Sequence, residues 1–149
     1  MVFRFVFMLI SAFVLVNGLS TEIKEKFMER MEKIGGECAA EVGANEDDIS
    51  ELIAHKYPSR HEGECMIFCF YKSFGMMHED GSLHEEGALK MIEPLKADDP
   101  DLYEKVVAIG KHCAKEVSAL DDKCKYSAKL AQCAVLKGKE MGLDSSIFE

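Results

Sequence analysis

The sequence has no tryptophan and only three prolines in 149 residues. It is short of cations: 18 Lys and Arg stand against 27 Asp and Glu, a formal charge of −9. That balance excludes nucleic-acid binding, which needs a basic footprint to neutralise phosphates. It equally excludes docking on anionic lipid headgroups. No stretch alternates with period two, so no sheet is expected. No Asn-x-Ser/Thr site occurs, so N-glycosylation is not expected. There is no Gly-x-Ser-x-Gly elbow, no phosphate-binding glycine loop and no His-Asp pair. Repeats, low-complexity tracts and linkers are also missing.

Only one long apolar run is present, Phe5 to Val16, interrupted by Ser11. Arg4 precedes it, and Asn17-Gly18 gives it a short-residue exit. A basic start, an apolar middle and a small-residue end read as a secretory signal over residues 1–18. Twelve helical residues span only ~18 Å, too short for a hydrocarbon core of ~30 Å. Residues 19–149 are then expected to form one soluble domain, with no stable membrane insertion. A domain of that size buries roughly two thirds of its unfolded surface, so it has a core of its own.

Helical periodicity is nearly continuous beyond residue 18, which predicts an all-α fold of six helices. Ser20 or Thr21 caps the first, with Ile23, Phe27, Met31, Ile34 and Cys38 at spacings of three and four. Gly35-Gly36 is expected to kink it. Asn45 caps the second, with Ile49, Leu52 and Ile53 turned inward, and Pro58 stops it. A third runs from about residue 62 to 77. Asp80-Gly81 forms a turn. Ser82 to Glu85 has the spacing of a capping box and opens a fourth helix through Leu89, Ile92 and Leu95. Asp99-Pro100 places a cap before a proline at the first turn of the fifth. Its inner stripe is Leu102, Val106, Ile109, Cys113, Val117 and Leu120. Asp121 or Asp122 caps the sixth, which carries Cys124, Tyr126, Leu130, Cys133 and Val135 and ends near Gly138.

Six cysteines in a secreted chain imply a disulfide framework, with 15 possible pairings. Cys124 and Cys133 lie ~13 Å apart along one helix and cannot join. Cys65 and Cys69, one turn apart, offer poor geometry for a mutual bond. Ten pairings survive. Cys65 and Cys69 point to one side of the third helix, whereas Cys124 and Cys133 face about opposite ways on the sixth.

The pattern Cys38-x26-Cys65-x3-Cys69-x43-Cys113-x10-Cys124-x8-Cys133 resembles that of the six-cysteine insect odorant-binding proteins, over nearly all of the chain beyond the signal. The resemblance implies the pairs Cys38–Cys69, Cys65–Cys124 and Cys113–Cys133, one of the ten. It implies a compact six-helix domain around an apolar cavity. It implies a secreted carrier of small hydrophobic molecules, odorants or pheromones, through an aqueous lymph, with room for delivery to an olfactory receptor and for a homodimer. A non-olfactory carrier of lipids or hormones, and a stapled defence or interaction protein with a filled core, are the competing readings.

The third helix is apolar all round, so it either sits sandwiched in core or borders a cavity. Periodicity alone favours core; the resemblance favours a cavity. By position relative to the cysteines, it implies lining by Ile67, Tyr71, Phe74, Met77, Met91, Val107 and Leu130, with the Tyr71 hydroxyl free to meet a ligand's polar end. Ile147 and Phe148 in the tail are candidates to plug the cavity as an extended strand.

His78-Glu79-Asp80 and His84-Glu85-Glu86 suggest zinc chemistry, but Ser82 and Ala88 stand where a His-Glu-x-x-His motif needs its second histidine. No catalysis, metal or cofactor is expected. The segment from His78 to His84 resembles the loop that covers the cavity in moth pheromone-binding members of that family. His84 is therefore the candidate for an acid-triggered release, since imidazole changes charge in the mildly acid range. It begins a helix, where the positive dipole end opposes a further positive charge. Glu79, Asp80, Glu85 and Glu86 work the other way. His55, His61, His78 and His112 are expected on the surface.

Overall fold

The computed structural model describes residues 19–143. Six α-helices account for most of them: α1 Thr21–Val42, α2 Glu46–Ile53, α3 His61–Ser73, α4 Glu85–Asp98, α5 Pro100–Glu116 and α6 Lys123–Glu140. The described residues form no strand, only one isolated antiparallel bridge between Met77 and Leu83. None of the helices is long and apolar enough to cross a membrane.

Local chemistry sets most of the ends. Asn45 caps α2 in a reciprocal box: its side chain accepts from the Asp48 N–H, and the Asp48 carboxylate accepts from the Asn45 N–H. Asp99 caps α5 by accepting from the Leu102 N–H, with Pro100 in the first turn. Asp122, not Asp121, caps α6 by accepting from the Lys125 N–H. α1 runs unbroken through Gly35-Gly36. A side chain at Gly35 would make only ordinary contact with the Phe70 ring.

Other expectations need correction. No capping box forms over Ser82–Glu85. The Ser82 hydroxyl donates instead to Asp80 at 2.6 Å, closing the Asp80-Gly81 turn, and α4 starts on His84 with no side-chain cap. α3 stops at Ser73 rather than near Met77, because Gly75 turns left-handed with φ 75°. Ile53 is 75% exposed. It lies a further 100° round from Leu52 on a two-turn helix, and the buried position there is Asp48. That carboxylate is paired with Arg60 at 3.0 Å, as a buried charge requires. Leu120 lies beyond the end of α5 and is also exposed.

α3 is the hub. It packs most extensively against α6 and next against α1, while α4 pairs with α5, and α5 with α6. Two clusters fill its two sides. Phe68, Met77, Ile109, Tyr126 and Leu130 pack with Cys113 and Cys124 on the α6 side. Ile34, Met66 and Phe74 pack with Cys38 and Cys69 on the α1 side. Three disulfides pin these contacts: Cys38–Cys69 joins α1 to α3, Cys65–Cys124 joins α3 to α6, and Cys113–Cys133 joins α5 to α6. They are the same pairs that the spacing resemblance implies. No described cysteine is free. α4 carries no cysteine.

Candidate functional site

Away from the α3–α6 seam the helices do not close on one another. They leave a cavity of about 750 Å³, within the usual ~300–1,000 Å³ of small-molecule sites. The first half of α1 contributes Ile23 and Phe27, with Leu19 just before it. α4 contributes Met91, Ile92, Pro94 and Leu95. Leu102, Val106 and Ile109 come from α5, and Ala134 and Val135 from α6. Phe74 forms the α3 end of the cavity, and Leu143 closes it behind α6.

Phe74 organises this end. Its ring stacks on Phe27 at 6.2 Å and on Phe70 at 6.3 Å between centroids. The Arg30 guanidinium covers it at 4.7 Å. Such aromatic and cation–π contacts each contribute about 0.5–1.5 kcal/mol beyond buried area. Pro94 sits inside α4, where it cannot donate to the preceding turn, so the α4 wall is locally weakened beside the cavity.

Of the residues implied as lining, Phe74 and Met91 do line this cavity. Ile67, Tyr71, Met77 and Leu130 do not. Ile67 is buried, and Met77 and Leu130 belong to the filled cluster between α3 and α6. Tyr71 packs against that cluster, and burial pushes its hydroxyl pKa up. The phase of Ile67 and Tyr71 on α3 turns them toward α6 or into core, while Met77 lies beyond the end of α3 and Leu130 on α6, so the sandwiched alternative that periodicity favoured holds for this helix up to Phe74. Val107 misses by one residue: its neighbour Val106 faces the cavity, one helical step of about 100° away. Ile147 and Phe148 lie outside the described residues. The rim residues Lys24, Lys26, Arg30, His55 and Lys139 were not anticipated. Nothing in the sequence pattern marks them, because they converge from α1, the α2 end and the α6 end only after folding.

The 75–84 loop does not line the cavity. It lies on the start of α6, where the Ser127 hydroxyl meets the Met77 sulfur at 3.2 Å and Lys123 Nζ donates to the Glu79 carbonyl at 2.8 Å. His84 anchors it from the other side. Its Nδ1 lies 3.0 Å from the Gly75 carbonyl, its ring 4.5 Å from that of His78. A side chain on Gly87 would collide with the same Gly75 carbonyl and with His84 Nδ1, so glycine at 87 permits this docking. Gly75 adjoins Phe74, the loop's link to the cavity.

His61, Glu64 and Asp122 bring ligating atoms within 4.8 Å of one another. They are engaged with their surroundings. His61 Nε2 meets Asp122 at 3.0 Å, the Tyr57 hydroxyl donates to Glu64 at 2.8 Å, and Asp122 accepts from the Lys125 N–H. That N–H holds the Asp122 carboxyl below its ordinary range, with help from His61. Burial, then the Glu64 carboxylate, pushes the Tyr57 hydroxyl up to about 12. These side chains tie the α2–α3 connection to the start of α6.

Comparison with known proteins bears on the whole domain. The sequence profile of the PBP/GOBP family matches residues 20–136. General odorant-binding protein 28a of Drosophila melanogaster is 28% identical over 122 residues, 82% of each chain. General odorant-binding protein 19d of the same species is 25% identical over 112 residues, 75% of this chain and 74% of that one. The fold is similar to the solved structure of the Drosophila odorant-binding protein 28a, with TM-score 0.69 and 24% identity, covering 81% of this chain and 99% of that one. Pheromone binding protein 3 of Epiphyas postvittana gives TM-score 0.61 at 23% identity, covering 75% and 97%.

Proposed function

The chain belongs to the PBP/GOBP family, and from that premise we propose that it is a secreted carrier of small hydrophobic molecules. It takes odorant- or pheromone-sized ligands into the cavity between α1, α4, α5 and α6, and moves them through an aqueous lymph toward a receptor. Residues 1–18 serve as the export signal. One observation carries the reading: the cavity has the volume of a ligand site, and no acid, amide or hydroxyl side chain is among the residues that line it. Burial of ligand surface at ~25 cal/mol per Å² supplies the driving force. Lost ligand freedom holds the net affinity to about micromolar. Nothing in this mechanism needs a catalytic group or a cofactor.

Acid-triggered release is part of the proposal. The Gly75 carbonyl only accepts, so His84 Nδ1–H donates to it in either protonation state. A charge gained at Nε2 would act instead through repulsion from His78 and from the positive end of α4, and so unsettle the turn beside Phe74, the cavity's α3 wall. Glu85 and Glu86 on α4, Glu79 and Asp80 on the loop, and Lys123 on α6 set the local field. Titration with a fluorescent apolar probe, and its displacement by odorant-sized ligands, tests both parts. Uptake and displacement are expected at neutral pH. Affinity should fall severalfold in mild acid, and His84→Ala should flatten that fall. No uptake sinks the carrier reading; equal affinity at both pH values sinks the switch alone.

A further inference from the structure

The charge around the cavity is opposite to that of the chain. Acids outnumber Lys and Arg 27 to 18 over the sequence, yet no Asp or Glu lines the cavity, while Lys24, Lys26, Arg30, His55 and Lys139 all do. Lys26, Arg30, His55 and Lys139 are exposed and Lys24 is half-buried, so the cations form a rim around an apolar interior. They come from α1, from the turn after α2 and from the end of α6.

Their engagement differs. Lys26 is committed to Glu22 at 2.6 Å. Arg30 spends the face of its guanidinium on the Phe74 ring, which leaves the N–H edge of the fork available to an acceptor. Lys24, His55 and Lys139 have no ion pair among the described residues. His55 is also the one described non-glycine residue with positive φ, 55°. That conformation disfavours a side chain, yet it is where the chain holds an imidazole at the rim.

Building on the carrier reading, we propose that the cavity accepts an anionic amphiphile, a long-chain fatty acid, with its tail among the apolar side chains and its carboxylate at the Lys24–Arg30–Lys139 rim. A free fatty acid is ionised at neutral pH, since carboxyl groups titrate at about 4–5. With the head at an exposed rim, the carboxylate keeps part of its hydration and avoids the cost of burying a charge. Exposed pairs are individually weak, so the preference that these cations give to an anionic head is modest. The rim also draws the ligand in against the repulsion of a chain with an acidic surplus.

The test compares two probes of equal chain length, dodecanoate and dodecanol, as displacers of a bound fluorescent apolar probe from the full domain. Dodecanoate should bind several times more tightly, up to about tenfold, and the difference should shrink as salt is raised. Lys24→Gln/Lys139→Gln leaves the Arg30–Phe74 stack intact; it should weaken dodecanoate more than dodecanol and bring the ratio of the two affinities toward one. Equal binding of the two ligands to the wild type overturns the charge inference while the carrier reading stands. A double variant that weakens both ligands alike also overturns it. If the domain takes up neither the probe nor dodecanol, the carrier reading falls first and the inference with it.

Discussion

The two sides of this domain are built differently. On the α3–α6 side, Phe68, Met77, Tyr126 and Leu130 interlock with two disulfide cysteines, and Cys65–Cys124 clamps the helices together. On the α4–α5 side the walls are just as apolar, but they surround space, and α4 has no covalent tie. α4 is held by its packing on α5 and by small contacts such as the Ser20 N–H to Asp98 at 2.8 Å. A domain of this size cannot both close its core everywhere and leave room for a guest. Concentrating packing and covalent constraint in one half lets the other half stay open.

The disulfides give the largest test of that contrast. Cys65–Cys124 spans 59 residues and Cys113–Cys133 spans 20. Chain-entropy arithmetic assigns them about 4 and about 3 kcal/mol. Paired serine replacements should therefore lower stability most at 65/124, read as the denaturant midpoint, with the 113/133 variant in between and the wild type highest. The opposite ranking would mean that the α5–α6 join, not the α3–α6 seam, holds the fold.

Truncating one leucine on each side gives the next effect. Leu130 is buried within the filled seam, so Leu130→Ala should cost about 2–5 kcal/mol. Leu95 faces the cavity and is partly exposed, so Leu95→Ala forfeits contacts on one side only and should cost under ~1.5 kcal/mol. It should alter probe affinity, whereas Leu130→Ala should alter stability more than affinity. Equal losses of stability would show that the cavity wall is packed as tightly as the seam.

The same contrast separates what the sequence reveals from what it conceals. Helix number, the Asp99-Pro100 start and the inner stripe of α5 from Leu102 to Cys113 were legible because caps and 3.6-residue periodicity are local, while Leu120 at the end of that stripe falls outside the helix. The cysteine spacing carried the family. The cavity was much less legible: Phe74 and Met91 were found, while Ile67, Tyr71, Met77, Val107 and Leu130 were not lining residues. A residue that fills core and one that faces a void have the same apolarity and the same periodicity. Only the positions of neighbouring helices distinguish them, as the single step from Val107 to Val106 shows. The Ser82–Glu85 motif failed for a related reason. Asp80 captured the serine hydroxyl that the helix end would have used. The basic rim was invisible because the three segments that carry it, α1, the turn after α2 and the end of α6, are far apart in sequence.

The smallest expected effect lies at the polar margin of the stapled side. The Tyr57 hydroxyl donates to Glu64, which is 8% exposed, and burial together with that carboxylate raises the phenol to about 12 from an ordinary 10.0. The folded state thus holds this proton more tightly than the unfolded chain does. Its stabilising contribution is fully present below pH 10 and is lost as pH rises toward 12, because the unfolded chain ionises first. Tyr57 is itself 37% exposed, so solvent screening keeps the decline shallow. At neutral pH, Tyr57→Phe should cost about 0.5–1.5 kcal/mol, the contribution of one hydrogen bond. In alkali the variant should lose stability less steeply than the wild type. Tyr71 and Tyr126 are also raised by burial, but both proteins share them, so the difference between the two urea-midpoint profiles isolates Tyr57. Parallel profiles would mean that the Tyr57–Glu64 bond does not persist in solution, and that the α2–α3 connection is held by its other contacts, among them the Arg60–Asp48 pair and the Ser59 N–H donated to Glu51.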